Sequence, residues 1–255
     1  MPAPQRRAAP DSRDLGAAHR AVSATVLFTA YVLLLLMLTV PALWAGLLAL
    51  PAGRIPRRLL RAWARFVIRA SGCRLRVSGV DRLRRCGPAM LVANHASYLD
   101  SVVLLAALPL EYRFVANQGL TRVAVVGTAV RKARYLTVDR SAMTARRACL
   151  LAMIDMLRHG TSLLVFPEAG IARTVGLLPF RLGAFRAAVE IGRPVVSIAI
   201  LGTRDILPYR GWMLRRGTID VAIHEPIEPI GRTRQEVVRL RDRARHEIAT
   251  SLECL

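Results

Sequence analysis

The residue types best suited to chemistry in this chain are His95 and Asp100, in the segment Asn94-His95-Ala96-Ser97-Tyr98-Leu99-Asp100. The apolar run Met90–Ala93 before them predicts a strand, and a helix is predicted to begin near Ser97. In that geometry the carboxylate can accept the imidazole N–H, which fixes the tautomer and makes the other ring nitrogen a better base. No serine or cysteine nucleophile stands in a recognisable context, so the pair suggests activation of a substrate hydroxyl.

The same spacing also has a purely structural explanation. Ser97 and Asp100 stand in the order of a helix capping box, in which each side chain accepts a hydrogen bond from the other residue's backbone N–H. Spacing alone therefore leaves both a catalytic histidine and a helix cap open, and the decision depends on other blocks of sequence.

The elements around this segment alternate between short apolar runs and longer helical patterns. That alternation predicts an α/β fold with a mixed, mostly parallel sheet flanked by helices. The predicted strands are Leu75–Ser78, Pro88–Ala93, Tyr112–Ala116, Tyr135–Val138, Ser162–Phe166, Val195–Leu201 and Ile219–His224. The predicted helices are Leu99–Ala107, Ala142–Arg158, Gly183–Ile191 and Arg234–Leu252. We assign residues 73–255 to this single domain.

A long uncharged segment precedes the domain, since no charged residue lies between Arg20 and Arg54. Its apolar run exceeds the roughly 20 residues needed to span a bilayer. A cleaved signal peptide is the competing interpretation, but its apolar core is normally shorter. Pro41 and Pro51 interrupt the run, so one tilted span or a re-entrant helical pair fits residues 21–53. Residues 1–20 are expected to form a disordered basic tail.

Residues 54–72 are rich in arginine and contain no acidic residue. Apolar residues recur at helical spacing between the arginines, which is typical of a helix lying in the headgroup plane. They are Leu59, Leu60, Trp63, Phe66 and Val67. A basic helix packed on the surface of the domain is the alternative. Because this flank is more positive than residues 1–20, we expect the domain to face the cytoplasm from the inner membrane.

The 255 residues carry a formal net charge of +21 together with a mean hydropathy of +0.34. The apolar content excludes a disordered chain, and its combination with positive charge favours contact with anionic membrane lipids. Stacking aromatics interleaved with the arginines are lacking, so no nucleic-acid partner is expected. The cysteines and histidines show no metal-ligand spacing, and neither a metal nor a cofactor is expected.

Further blocks follow the Asn94-His95-x-x-x-x-Asp100 segment in a fixed order. They are Tyr135-Leu136-Thr137-Val138-Asp139-Arg140, Leu164-Val165-Phe166-Pro167-Glu168, Gly176-Leu177-Leu178-Pro179-Phe180-Arg181-Leu182-Gly183-Ala184-Phe185 and Arg193-Pro194-Val195-Val196. This order resembles the glycerolipid acyltransferase family, whose best-known members are the 1-acyl-glycerol-3-phosphate acyltransferases. The resemblance covers roughly Leu75 to Leu252.

The resemblance implies direct transfer of a fatty acyl group from acyl-CoA or acyl carrier protein to the free hydroxyl of a lysolipid, with lysophosphatidic acid the expected acceptor. His95 is then the general base and Asp100 its orienting partner. A guanidinium fork suits Arg140 to the acceptor's phosphate. The expected acceptor-binding residues are Asn94, Arg140, Glu168 and Arg173.

The third block departs from the family pattern. After Phe166-Pro167-Glu168 the family usually continues Gly-Thr-Arg-Ser, whereas this chain has Ala169-Gly170-Ile171-Ala172-Arg173. Ile171 therefore occupies the usual arginine position, and Arg173 is the candidate replacement for its charge. The departure leaves room for another acceptor, such as a lyso-ornithine lipid. A non-enzymatic basic membrane scaffold is the alternative from a different functional class.

Overall fold

The computed structural model describes residues 12–139, 142–171 and 176–253. Within these ranges seven strands form one sheet in the order β1-β7-β6-β2-β5-β3-β4. The strands are β1 (Arg74–Ser78), β2 (Met90–Ala93), β3 (Tyr112–Asn117), β4 (Leu136–Val138), β5 (Ser162–Val165), β6 (Val195–Leu201) and β7 (Thr218–Ile223). Each lies within two residues of its predicted bounds at either end.

Neighbouring strands run parallel except for β6 and β7, which are antiparallel. The predicted mixed, mostly parallel sheet is therefore confirmed. The strands β2 to β6 end at one edge, which we call the carboxyl edge. The central strand β2 is buried along its whole length because helices cover both faces of the sheet.

Helices cover the two faces of the sheet unequally. The helices are α1 (Ser12–Ala49), α2 (Arg54–Ser71), α3 (Val80–Cys86), α4 (Asp100–Ala107), α5 (Ala124–Lys132), α6 (Met143–Arg158), α7 (Gly183–Ile191), α8 (Thr203–Ile206) and α9 (Arg234–Glu253). One face of the sheet packs against α1, α2, α4 and α5, and the other packs against α6, α7 and α9. A 3-10 turn, Gln118–Arg122, joins β3 to α5. Sequence patterns did not predict α3, α5 or α8, because such short helices show little periodicity.

The N-terminal helix α1 corrects two expectations. It runs without a break through Pro41, so the proline does not divide the apolar run. It also begins at Ser12, so residues 12–20 are helical rather than part of a disordered tail. A single proline removes one hydrogen bond from a long helix whose other turns remain intact. The stretch Val22–Ala49 has a mean hydropathy of 2.4 and is long and apolar enough to cross a membrane, judged by length and composition.

Helices α1 and α2 form an antiparallel hairpin on the domain. The Tyr31 hydroxyl donates to the carbonyl of Ala70 at 2.8 Å, and the Trp63 Nε1 donates to the Thr39 hydroxyl at 3.2 Å. One side of α2 packs on the domain, where Leu60 and Val67 are buried and Leu59 and Trp63 are partly buried. Phe66, in the same predicted stripe, is 53% exposed. This packing favours the basic surface helix of the alternative interpretation, and contact of α2 with the headgroup plane stays a prediction.

The start of α2 is held by an ion pair at the amino edge of the sheet, which is the edge where strands β2 to β6 begin. Arg57 Nε lies 2.9 Å from Glu111 Oε2, and its Nη1 donates to the carbonyl of Ala133 at 3.1 Å. Arg61 pairs with the same carboxylate. Burial alone raises the pKa of Glu111, but the hydrogen bond from Arg57 and the two positive charges lower it overall. The pair thus contributes stability at neutral pH that is lost as the pH falls through the lowered pKa.

Gly202, between β6 and α8, tests how tightly the carboxyl edge is packed. Its φ is +79°, and a Cβ there would lie 2.1 Å from the carbonyl oxygen of Thr218. We expect Gly202→Ala to lower the free energy of unfolding by roughly 2–4 kcal/mol, because left-handed strain adds to a clash with backbone.

Gly192→Ala is the matched control for that substitution. Gly192 has a φ of +66°, but nothing lies within 4 Å of its Cβ position. It should cost only about 1–2 kcal/mol, from the left-handed conformation alone. Urea unfolding of both variants measures the difference, and equal losses would contradict the proposed packing.

Candidate active site

His95 and Asp100 meet at the carboxyl edge, where β2 ends and α4 begins. The Nδ1 of His95 lies 2.8 Å from Oδ2 of Asp100. Because a carboxylate can only accept, Nδ1 carries the proton and Nε2 has the free lone pair. The histidine side chain is 17% exposed whereas the aspartate side chain is fully buried. Nε2 makes no hydrogen bond to a described residue, which leaves it available to a substrate.

Asp100 also accepts backbone and hydroxyl donors. Its Oδ2 receives the N–H groups of Ala96 at 2.7 Å and Ser97 at 2.9 Å, and its Oδ1 receives the Thr203 hydroxyl at 2.6 Å. The two interpretations of the Ser97-x-x-Asp100 spacing are therefore compatible: one carboxylate organises the start of α4 and orients the histidine ring.

Phe166 holds the His95 ring from the side. The two rings are stacked with centroids 4.1 Å apart and an interplanar angle of 14°, and Phe114 lies behind Phe166 at 6.3 Å. Sequence analysis placed Phe166 in the third block without assigning it a role. The stack and the Asp100 contact together leave the imidazole little rotational freedom.

Glu168 links His95 to the fourth sequence block. Its Oε1 accepts the backbone N–H of His95 at 2.8 Å, and its Oε2 accepts the N–H of Leu178 at 2.7 Å. Burial raises the pKa of this carboxyl, although both backbone hydrogen bonds oppose the shift. We expected Glu168 to bind the acceptor; it lies beside His95, but both of its oxygens already serve the protein backbone.

Asn94 has a structural partner in β6. It is almost completely buried, its Nδ2 donates to the carbonyl of Ile200 at 2.9 Å, and its Oδ1 accepts the Ile200 N–H at 2.7 Å. The amide therefore continues the β2–β6 hydrogen-bonding pattern past the end of β2. These bonds give Asn94 a structural role, and its predicted binding of the acceptor stays a prediction.

The remaining predicted residues, Arg140 and Arg173, lie outside the described residues. In the described part of the chain a cavity of about 360 Å³ is lined in part by Phe166, which stacks on His95, and by Pro167. Its interior is apolar, and Arg146 and Arg181 are the charged residues in its lining. Neither arginine was predicted: Arg181 stands inside the fourth sequence block, whereas Arg146 carries no local signal.

A second polar cluster lies on the other face of the sheet. The buried Ser197 hydroxyl donates to Glu247 at 2.5 Å and lies 3.0 Å from Nδ1 of His224, whose Nε2 is 2.8 Å from the Ser251 hydroxyl. Because the serine gives its proton to the carboxylate rather than to the histidine, the group lacks the order of a nucleophilic triad. It ties α9 to β6 and β7.

The structural role of Asn94 can be measured. We expect Asn94→Ala to lower the free energy of unfolding by roughly 2–4 kcal/mol, because it leaves a buried N–H and a buried C=O of Ile200 without partners. Asn117→Ala, at the exposed end of β3, should cost less than about 1 kcal/mol. Thermal unfolding checks both, and a stable Asn94→Ala protein with weakened acceptor binding would favour acceptor binding by Asn94 instead.

Ala169, where the third block departs from the family pattern, has a φ of +61°. A non-glycine residue in this left-handed conformation is strained by roughly 1–2 kcal/mol. We therefore expect Ala169→Gly to raise the free energy of unfolding by about 0.5–1 kcal/mol, after the greater unfolded-state entropy of glycine is subtracted. Ala152→Gly, inside α6, should lower it by about 1 kcal/mol. Urea unfolding of both variants in parallel tests these opposite changes, and a lower free energy of unfolding in both would disprove strain at Ala169.

Comparison with known proteins places this geometry in context. A family model described as Acyltransferase matches residues 74–201. The Brassica napus 1-acyl-sn-glycerol-3-phosphate acyltransferase BAT2, chloroplastic, is 32% identical over 166 residues, which is 65% of this chain and 46% of that protein. The human 1-acyl-sn-glycerol-3-phosphate acyltransferase alpha is 26% identical and covers 82% of this chain and 76% of its own length. The chain spans about half the length of the plant relatives it matches.

The fold has a counterpart among solved structures. The crystal structure of the 1-acyl-sn-glycerophosphate (LPA) acyltransferase PlsC from Thermotoga maritima matches with a TM-score of 0.74 at 21% identity, covering 92% of this chain and 96% of that one. This likeness concerns the fold, including the N-terminal helices. Because the family model extends from the start of β1 to the end of β6 and includes His95 and Asp100, the chain belongs to the acyltransferase family.

Proposed function

We propose that this chain is an O-acyltransferase that moves a fatty acyl group from acyl-CoA or acyl carrier protein to the free hydroxyl of lysophosphatidic acid, giving phosphatidic acid. The observation that carries the proposal is the contact between His95 Nδ1 and a buried Asp100, with Nε2 left unpaired among the described residues. The names of the plant and human relatives support the choice of acceptor.

The reaction follows from the protonation pattern of His95. Its Nε2 removes the hydroxyl proton as the acceptor oxygen attacks the thioester carbonyl, because an alcohol does not ionise alone at neutral pH. The new C–O ester bond forms, the C–S bond breaks, and the thiolate takes the proton back from the imidazolium. The donor supplies the activated acyl group, so the proposal includes no further cofactor.

Asp100 serves this step without exchanging a proton. It keeps Nδ1 protonated in the resting state, and its negative charge stabilises the imidazolium that forms during attack. The Ala96 and Ser97 N–H groups and the Thr203 hydroxyl fix the carboxylate. The ring cannot turn away because Phe166 is stacked against it.

The acceptor's head group has a candidate location in the cavity lined by Phe166 and Pro167. Arg146 and Arg181 line that cavity, and neither forms an ion pair with a carboxylate in the described ranges. Two exposed guanidinium groups above an apolar interior suit an amphiphile with a phosphate. We propose that they replace the charge missing at Ile171, together with Arg140 or Arg173.

Another acceptor remains a specific alternative because of Ile171. An arginine at that position would favour a phosphate monoester, whereas isoleucine does not. A lyso-ornithine lipid, which has a hydroxyl or acylatable group but no phosphate, is the acceptor that the altered block leaves open.

The proposed setting is the inner membrane, with the domain on the cytoplasmic side. Helix α1 supplies the apolar segment, and α2 with the following chain supplies the dense positive flank. Both proposed donors and an anionic lipid acceptor are then available to one face of the protein. The net charge of +21 suits contact with anionic lipids or with an acidic carrier protein.

The decisive variant is His95→Ala. Membranes containing it should lose acyl transfer to lysophosphatidic acid by about 10²–10⁴-fold, because the general base is gone. His159→Ala replaces an exposed histidine at the end of α6 and should stay within about twofold of wild type. Product is measured with radiolabelled acyl donor. Full activity in His95→Ala, or lipid binding without any consumption of thioester by wild type, would favour the non-enzymatic scaffold.

The same assay separates the acceptors. Lysophosphatidic acid and lyso-ornithine lipid are offered separately to the wild-type protein with each donor. We expect product from lysophosphatidic acid, and product from lyso-ornithine lipid alone would overturn the phosphate acceptor while leaving the role of His95 intact.

A further inference from the structure

Large apolar side chains are exposed at the carboxyl edge of the sheet, outside helix α1. Tyr98 follows His95, Leu120 lies in the 3-10 turn after β3, and Trp212 lies in the loop between α8 and β7. Val123 and Val126 stand at the start of α5. The exposed fractions of these five side chains run from 39% to 72%. We call these residues the edge surface: Tyr98, Leu120, Val123, Val126 and Trp212.

The loops that carry the edge surface are held firmly in place. Ser97 donates to the carbonyl of Leu207 at 2.9 Å, so the turn before Tyr98 is fixed to the start of the Trp212 loop. Arg215 N–H donates to the carbonyl of Ile206 at 2.9 Å and closes that loop. On the other side, Gly127 packs so tightly on Thr121 that a Cβ would lie 2.2 Å from its carbonyl oxygen. These exposed apolar side chains therefore stand on loops that hydrogen bonds and close packing hold in place.

The edge surface continues into the exposed face of α1. Thr29 exchanges hydrogen bonds with the backbone of Leu214, two residues from Trp212, whereas Leu48 and Leu50 meet Lys132 at the far end of α5. Helix α1 thus runs from the carboxyl edge toward the amino edge. Its residues before Thr29 extend past the carboxyl edge, and Val22, Val26 and Leu27 among them are exposed, whereas Phe28 packs partly buried against the domain.

The two segments that carry Leu120 and Trp212 contain charges of one sign. Residues 118–122 include Arg122, and residues 207–217 include Arg210, Arg215 and Arg216, with no acidic residue in either segment. Arg216 also lies over the ring of Phe28 in α1, 5.8 Å from its centroid. Tryptophan and tyrosine beside arginines match the interface of an anionic bilayer, where an amphipathic ring meets the headgroups.

We propose that the edge surface is a second membrane-contact surface that seats the mouth of the His95 site on an anionic bilayer, in addition to the anchoring of the chain by α1. The acceptor lysolipid then reaches His95 from the plane of the lipid rather than through water. The contact itself follows from exposure and charge; only its use for acceptor delivery rests on the proposed function.

The direct test makes Trp212 the only tryptophan through Trp44→Phe and Trp63→Phe, with circular dichroism to verify folding. The full-length protein is reconstituted in vesicles of phosphatidylcholine and phosphatidylglycerol whose acyl chains carry bromine near the headgroup end. We expect Trp212 emission to shift to the blue and to be quenched at least twofold relative to unbrominated vesicles. Emission typical of water, without quenching, would overturn the proposal whether or not the protein transfers acyl groups.

A second set of variants tests the rest of the surface. Leu120→Asp with Val123→Asp should halve the quenching of Trp212 and raise the KM for vesicle-borne acceptor at least fivefold, with kcat unchanged. Leu151→Asp with Ile230→Asp, at exposed positions away from the carboxyl edge, is the matched control and should change neither. A blue shift of Trp212 emission that depends on protein concentration rather than on lipid would assign the surface to a second copy of the chain and refute the membrane contact. Quenching without a change in KM would reject acceptor delivery alone.

Discussion

The carboxylate of Asp100 is the group on which the arrangement of this protein's site depends. A fully buried carboxylate is costly unless its oxygens are satisfied, and here four donors meet them: the His95 ring, two backbone N–H groups and the Thr203 hydroxyl. Thr203 follows β6, and β6 pairs with β2, which delivers His95. The order of strands at the centre of the sheet is therefore a condition for the histidine to be oriented at all.

The other neighbour of β2 completes the same site from the opposite side. Strand β5 is followed by Phe166, which stacks on the imidazole, and by Glu168, which accepts the His95 backbone N–H. The pKa of Glu168 is raised by burial, so ionising it near neutral pH costs stability that the protein would keep at lower pH. In return, the carboxylate holds both the backbone of His95 and the loop at Leu178. Asp100 orients the side chain of His95, and Glu168 positions its backbone.

Much of this could be predicted locally, and the rest depends on distant partners. The bounds of β6 and α7 match the predicted ones residue for residue. Strand β6 is a nearly continuous apolar run after Pro194, and α7 has apolar residues at helical spacing between Gly183 and Gly192. The pairing of Asn94 could not be predicted because its partner Ile200 lies 106 residues away and leaves no trace in the local pattern. The packing of α2 could not be predicted for a different reason: periodicity shows that a face is apolar, but not whether protein or lipid covers it. Arg146 and Arg181 come together only through packing of α6 against the loop before α7.

The length of the apolar segment has a physical explanation in its two partners. At 1.5 Å per residue, Val22–Ala49 measures about 42 Å, whereas a bilayer's hydrocarbon core is about 30 Å thick. One face of this helix packs inside the protein: Val32, Leu43 and Leu47 are buried, and Trp44 donates to Thr128 of α5. The opposite face of the helix stays exposed and apolar, as do Val22, Val26 and Leu27 before Thr29. One face of the helix therefore packs on the domain while the other keeps the exposed, apolar character that a lipid contact requires, so the side chains that attach the helix also decide which face is exposed.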